Sequence, residues 1–166
     1  MTDTPPAIPT DWSRRFEIRD LVSAHTCDFD RVAASLLDAT LGALSARRGF
    51  LVLLDREGGT RLAAVHGELA GLDGSALIAG LARELSSRTD TVMGVELPQD
   101  VQTAAAELGA GTFLVAPVLK RIGGTPSGAA ERRKYRLPSL ERVLGFLYLD
   151  RPAGEPAFNA EDRERM

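Results

Sequence analysis

One cysteine and two histidines are all that this chain of 166 residues offers for thiolate or imidazole chemistry. Cys27 and His25 stand two residues apart at the end of a helical stretch. Covalent catalysis by such a pair needs a third group to orient the base. No such group is evident, so a satisfied or partly buried thiol is the plainer reading. A single cysteine excludes an internal disulfide and a cysteine-rich zinc site. With His25 and His66 as the only imidazoles, a metal centre built by protein side chains alone lacks ligands. No Ser-His-Asp order and no paired-carboxylate arrangement stands out. The expectation is therefore no catalytic residue, no metal and no cofactor.

Binding chemistry has better candidates. His66 falls at the end of a strand, where an imidazole can meet a ligand or a haem iron; a hydrogen-bonded, half-exposed side chain is the commoner state there. Tyr148 shares a strand face with Phe146 and Leu144. Its hydroxyl reaches either a pocket or, more simply, the surface from a ring in the core. Phe50, Phe113 and Val115 are candidates to line a pocket between sheet and helices, because small-molecule sites are mostly apolar with a few polar anchors. Each of them taken singly reads first as plain core. Arg83, Glu84 and Arg88 read as a solvated helix face. Residues 121–139 form a basic insert, with Arg121, Arg132, Arg133, Lys134 and Arg136 against Glu131. Such a loop can grip an acidic partner or a phosphate. Its glycines are not at phosphate-loop spacing and its one aromatic is Tyr135, so a flexible surface loop is expected.

Composition limits the partners. Apolar residues make up 44% and charged residues 26%, the balance of an ordinary globular domain. A net charge of −3 gives no electrostatic footprint for nucleic acid or an anionic membrane. Met1 to Trp12 lacks the basic and apolar regions of a signal peptide, and no apolar run approaches the ~20 residues of a membrane helix. The expected compartment is the cytoplasm.

The elements that must position these side chains follow from spacing. Residues 1–11, with Pro5, Pro6 and Pro9, read as a flexible leader. Residues 12–166 read as one domain. A first helix is expected from Trp12 to about Ala24. The second begins with Asp30 as its N-cap and runs to about Ser45, with Val32, Leu36, Leu37, Thr40, Leu41 and Leu44 on one buried face. Gly49 is a breaker after it. Phe50 to Leu54 is a continuous apolar run suited to a strand covered on both faces. Asp55 to Gly59 turns the chain back into a strand over 61–66. Ser75 caps a helix through Ile78, Leu81, Ala82 and Leu85. Thr91 to Leu97 reads as a short strand and Gln99 to Leu108 as a short helix. Strands follow over 112–119 and 142–150. Asn159 caps a last helix with acidic residues in its first turn. The chain stops at Met166, about two turns in, so this helix is expected to be cut short and the chain to be part of a longer protein. The hairpins imply a largely antiparallel sheet with helices on one face and the 68–111 excursion on the other.

Four segments carry a family resemblance. Arg47 to Asp55 resembles the first strand of GAF domains, an apolar strand closed by Asp after a long helix. Leu62 to Gly67 resembles their second strand and its closing glycine. Val143 to Arg151 is similar to the family's "GxLYLD" strand, and Phe158 to Asp162 to the "F-x-x-x-D" that opens its last helix. The resemblance covers residues 16 to 166. It implies a profilin-like α/β (α+β) fold, a central antiparallel sheet of five to six strands flanked by helices.

The resemblance also implies a role. GAF domains sit in larger signalling proteins, where they bind small molecules or dimerise. The cyclic-nucleotide motif is incomplete here: Arg163 stands where it has Glu, and no Asn-Lys pair precedes Phe158. Cys27 lies between the first two helices, away from where bilin attachment occurs, and one cysteine cannot complete a sulfoxide-reductase cycle. The expected function is a regulatory, non-enzymatic, small-molecule-sensing domain of a bacterial-type signal-transduction or transcription-regulatory protein. It would act by a ligand- or partner-driven shift of its terminal helices. Expected partners are a small molecule of unidentified chemistry, a second copy of the chain through Trp12, Phe16 and Leu21, and an output domain. Neither nucleic acid nor membrane is expected. The alternative is a ligand-free dimerisation or protein-interaction module.

Overall fold

The computed structural model describes residues 29–55, 57, 59–69, 72, 75–121 and 141–166. The expected leader, the first helix, Cys27 and most of the basic insert lie outside the described residues.

Helix α1 spans Phe29–Leu44. Its apolar residues recur at helical spacing, and Ala33, Leu37, Leu41 and Leu44 form the buried row. The helix begins two residues earlier than an Asp30 cap implies, so Asp30 lies in its first turn, not at its cap, and pairs with Arg61 Nη1 at 2.8 Å. It ends at Leu44, next to the expected Ser45. Ser45 adopts φ 49°, Ser45 N bonds back to Gly42 O and Ala46 N to Leu41 O. That is a Schellman ending, which satisfies two of the last carbonyls. Gly49 is no breaker, because it lies inside strand β1, Arg48–Leu54. A Cβ at Gly49 would come 2.6 Å from Tyr148 O.

Strand β2, Thr60–His66, returns beside β1. Asp55 closes the turn, taking the N–H groups of Glu57 and Gly59 at 2.8 and 2.7 Å, as an Asx turn does. Helix α2, Ala76–Leu85, starts where Ser75 Oγ accepts from Ile78 N at 3.3 Å. The strand expected over 91–97 is only two residues long: β3 is Val92–Met93, and Gly94–Glu96 is a 3₁₀ turn. The Glu96 carboxylate bends the chain by reaching back to Met93 N at 2.8 Å. Helix α3 is Gln99–Glu107. The long hairpin of β4, Ala110–Arg121, and β5, Glu141–Pro152, follows. Helix α4, Ala160–Arg165, has the expected Asn159 cap and a reciprocal bond from Asp162.

The sheet is antiparallel, with order β2-β1-β5-β4-β3. Alternation along its strands gives it two apolar faces. Phe50, Val52, Phe113, Val115, Phe146 and Tyr148 pack against α2 and α3. Leu51, Leu114, Leu147 and Leu149 pack against α1 and Phe158. Each fully buried Leu or Phe is worth roughly 1.5–3 kcal/mol over its exposed state, so β5, buried on both sides, is the keel of the domain. Gly145 is where β5 needs no side chain, since a Cβ there would lie 2.1 Å from Val52 O.

Candidate functional site

Register brings four of the five proposed ligand contacts together. Tyr148 is the cross-strand partner of Phe50 on one side and of Val115 on the other. The rings of Phe50 and Tyr148 stack at 4.5 Å and 14°, and Phe113 stacks on Tyr148 at 5.3 Å and 29°. Phe146 meets Phe50 edge-on at 6.4 Å. Phe50, Val115 and Tyr148 have no exposed surface. Helices α2 and α3 cover this stack, so the face of the sheet is filled by the domain's own side chains. His66 is not among them. It ends β2 toward α1, with Nδ1 2.8 Å from Asp38 Oδ1 and both side chains more than half exposed.

The Tyr148 hydroxyl reaches neither a pocket nor the surface. It donates to Asp150 Oδ2 at 3.1 Å. Arg48 closes the other side, Nε to Oδ1 at 2.8 Å and Nη2 to Oδ2 at 2.9 Å, and donates from Nη1 to Leu108 O at 2.9 Å. Asp150 is fully buried. Burial first, and the adjacent Asp150 carboxylate second, push the Tyr148 phenol far above its ordinary pKa of 10.0. The group is thus a saturated charged knot in which every partner is spoken for. Arg48 and Asp150 stand 102 residues apart, and their charges at opposite ends of two apolar strands were the only sequence sign of the pair.

Arg151, next on β5, faces the other way. Its Nη2 donates to Leu44 O at the end of α1. Its Nη1 donates to Pro156 O at 3.0 Å and Ala157 O at 3.3 Å, with Asp162 Oδ2 at 3.5 Å. The guanidinium lies 4.1 Å over the Phe158 ring. One side chain of the central strand therefore holds the end of α1 and the entry to α4. In the sequence Arg151 carries no signal beyond its place at the end of the 143–151 motif.

Two clefts border these elements. A cleft of about 380 Å³ runs along the β3 edge and is lined by Met93, Gly94, Gln102, Thr112, Phe113 and Phe158 among others. A groove of about 600 Å³ lies at the opposite end, between the β1–β2 turn and α2, with Asp55, Arg83 and Val143 on its walls. Among the described residues no three His, Cys, Asp or Glu side chains gather as a metal site, and no helix is long and apolar enough to cross a membrane.

No family model matches the sequence, and no curated protein matches it. Solved structures do match. A far-red cyanobacteriochrome photoreceptor is similar over 89% of this chain and 85% of its own, at TM-score 0.56 and 12% identity. The phycocyanobilin-bound GAF domain of a cyanobacterial phytochrome is similar over 96% of this chain and 89% of its own, at TM-score 0.54 and 11% identity. The GAF domain/HD domain protein from Geobacter sulfurreducens is similar over 83% and 86%, at TM-score 0.52 and 15% identity. The fold is GAF-like: a five-stranded antiparallel sheet with α1 and Phe158 on one face and α2 and α3 on the other.

Proposed function

We propose that this chain is a regulatory sensor domain and not an enzyme. It takes up a small molecule and passes the result, by a shift in the population of terminal-helix arrangements, to an output domain of a longer bacterial-type signalling or transcription-regulatory protein in the cytoplasm. The observation that supports this most is Arg151. A buried cation on the central strand that holds the C-terminal end of α1 and the entry to α4 ties the sheet to the last helix, one of the two terminal helices proposed to transmit. The similar structures, a photoreceptor and two GAF domains, agree with a sensory role. A homodimer is the proposed working state.

A second reading has its own support. The Phe50–Tyr148–Phe113 stack fills the face beneath α2 and α3, which suits a ligand-free module that only dimerises or docks. Native mass spectrometry of the purified protein, beside a denatured sample, separates the two. A small molecule retained in the native ion and lost on denaturation supports the sensor. An empty dimer supports the docking module and overturns the sensor reading.

A further inference from the structure

We propose that the cleft along the β3 edge is a binding site for a small uncharged molecule with a flat apolar body and one carboxamide-like group. This rests on the sensor reading and assigns that domain its ligand site, outside the filled face of the sheet.

Size and charge come first. The cleft holds about 380 Å³, at the small end of the roughly 300–1,000 Å³ of small-molecule sites. None of its lining residues is ionisable. A charged ligand would lose its hydration there and gain no counter-charge, whereas an uncharged one faces no such penalty. The apolar part of the ligand meets the Phe113 ring, which packs against Gly94 so closely that a Cβ on that glycine would come within 2.5 Å of it. Val95, 76% exposed, stands on the rim and gains cover from an occupant.

The polar anchor is Thr112. It lines the cleft, and its hydroxyl is the one buried side-chain polar atom among the described residues with no hydrogen-bond partner. An unmade bond of that kind is destabilising, and a group that can both donate and accept, as a carboxamide does, relieves it. The oxygen is covered in this conformation, so an occupant that reaches it must part the lining.

Parting the lining moves the output side. Thr112 is the cross-strand partner of Arg151. Phe158 lines the cleft and carries the Arg151 guanidinium on its ring, and Ala157, also in the lining, gives Arg151 its carbonyl. Next in the chain to the lining residue Val95, Glu96 holds Arg163 of α4 at 3.1 Å. Lining residues are thus joined, by contact or by one peptide bond, to the groups that fix α4.

The test uses 4-fluorobenzamide as probe in a fluorine NMR titration of the whole chain, with 4-fluorobenzoate and 4-fluorobenzylamine as ionised controls. Saturable binding of the amide alone is expected. Ala106→Phe, which plugs the cleft from an exposed position on α3, abolishes it, and Thr112→Val weakens it several-fold. If Ala106→Phe misfolds, Thr103→Phe, on the same wall, replaces it. Amide exchange over 160–165 changes when the probe binds. Failure of the wild type to bind the amide saturably, equal binding of the benzoate, or undiminished binding to a folded plugged variant overturns the proposal. A natural ligand still retained in native mass spectra of the plugged variant overturns this site while leaving the sensor reading intact.

Discussion

Arg48 and Asp150 face each other across the β1–β5 ladder and close a two-point ion pair around a carboxylate that water does not reach. Charge burial of this kind is tolerated only while both partners and the extra bonds from Tyr148 and to Leu108 are present. Breaking it from one side leaves a lone charge. Arg48→Met is expected to lose about 3 kcal/mol, near the low end of the usual range because Arg48 keeps 17% of its side chain exposed. The double variant Arg48→Met/Asp150→Leu should recover a large part of that loss. Urea unfolding of the three proteins checks it; equal stability of Arg48→Met and wild type would show that the pair contributes nothing.

Tyr148 gives a pH signature to the same knot. Its phenol is held protonated by burial and by Asp150, so its folded pKa is above the unfolded value of 10.0. A raised folded pKa means the folded state binds the proton more tightly. The stability it contributes is complete below pH 10.0 and is lost as pH rises beyond it. Unfolding free energies between neutral pH and strong alkali should fall more steeply for the wild type than for Tyr148→Phe. At neutral pH that variant is expected to lose about 1 kcal/mol, the value of one net hydrogen bond. Parallel alkaline slopes would remove Tyr148 from the account.

Much of this architecture is legible in the sequence. The spacing of Leu37, Leu41 and Leu44 announces α1, and the Ser75 and Asn159 caps mark the starts of α2 and α4. The run 50–54 announces a strand covered on both faces. Where reading fails, a long-range or backbone effect decides. Ser45 ends α1 through a left-handed conformation more typical of glycine, and Glu96 converts an extended segment into a 3₁₀ turn through one bond to Met93 N. Alternation places Tyr148 with Phe146 on one face of β5, but only the register across β1, β5 and β4 brings Phe50 and Phe113 to that face. The pairing of Arg48 with Asp150 rests on the same register, and residue type does not reveal which strand ends will be neighbours. The β3-edge cleft is assembled from β3, the 3₁₀ turn, α3, β4 and the chain before α4, so no local pattern contains it.

Arg151 should behave as a joint and not merely as packing. Arg151→Met leaves the carbonyls of Leu44, Pro156 and Ala157 without their shared donor and is expected to lose about 2 kcal/mol. Its local effect is the sharper readout. Amides in 155–165 and in the last turn of α1 should exchange faster, while those of α2, which Arg151 does not touch, change only with global stability. Arg151→Lys should fall between, since one ammonium cannot bond carbonyls on both sides. Uniform acceleration across the domain would mean that Arg151 is ordinary core.

Glu96 adds a second tie to α4, sensitive to acid. Its carboxyl is held below the ordinary 4.5, first by the Met93 N–H and then by the positive charge of Arg163. A depressed folded pKa contributes stability that is present above the unfolded value and lost as pH falls through the folded one. The tie is therefore complete at neutral pH and released in acid below 4.5. Glu96→Gln keeps an acceptor for Met93 N but no charge for Arg163. Because the pair is solvent-exposed and screened, the variant should lose only about 0.5 kcal/mol at neutral pH. The signature is its pH dependence: α4 amides exchange faster in Glu96→Gln than in wild type at neutral pH, and the gap closes as the wild type is acidified through the carboxyl's titration. Exchange measured across that range, at matched intrinsic rates, decides it. A gap that persists after the wild-type carboxyl is protonated would mean that Glu96 acts on α4 through shape alone.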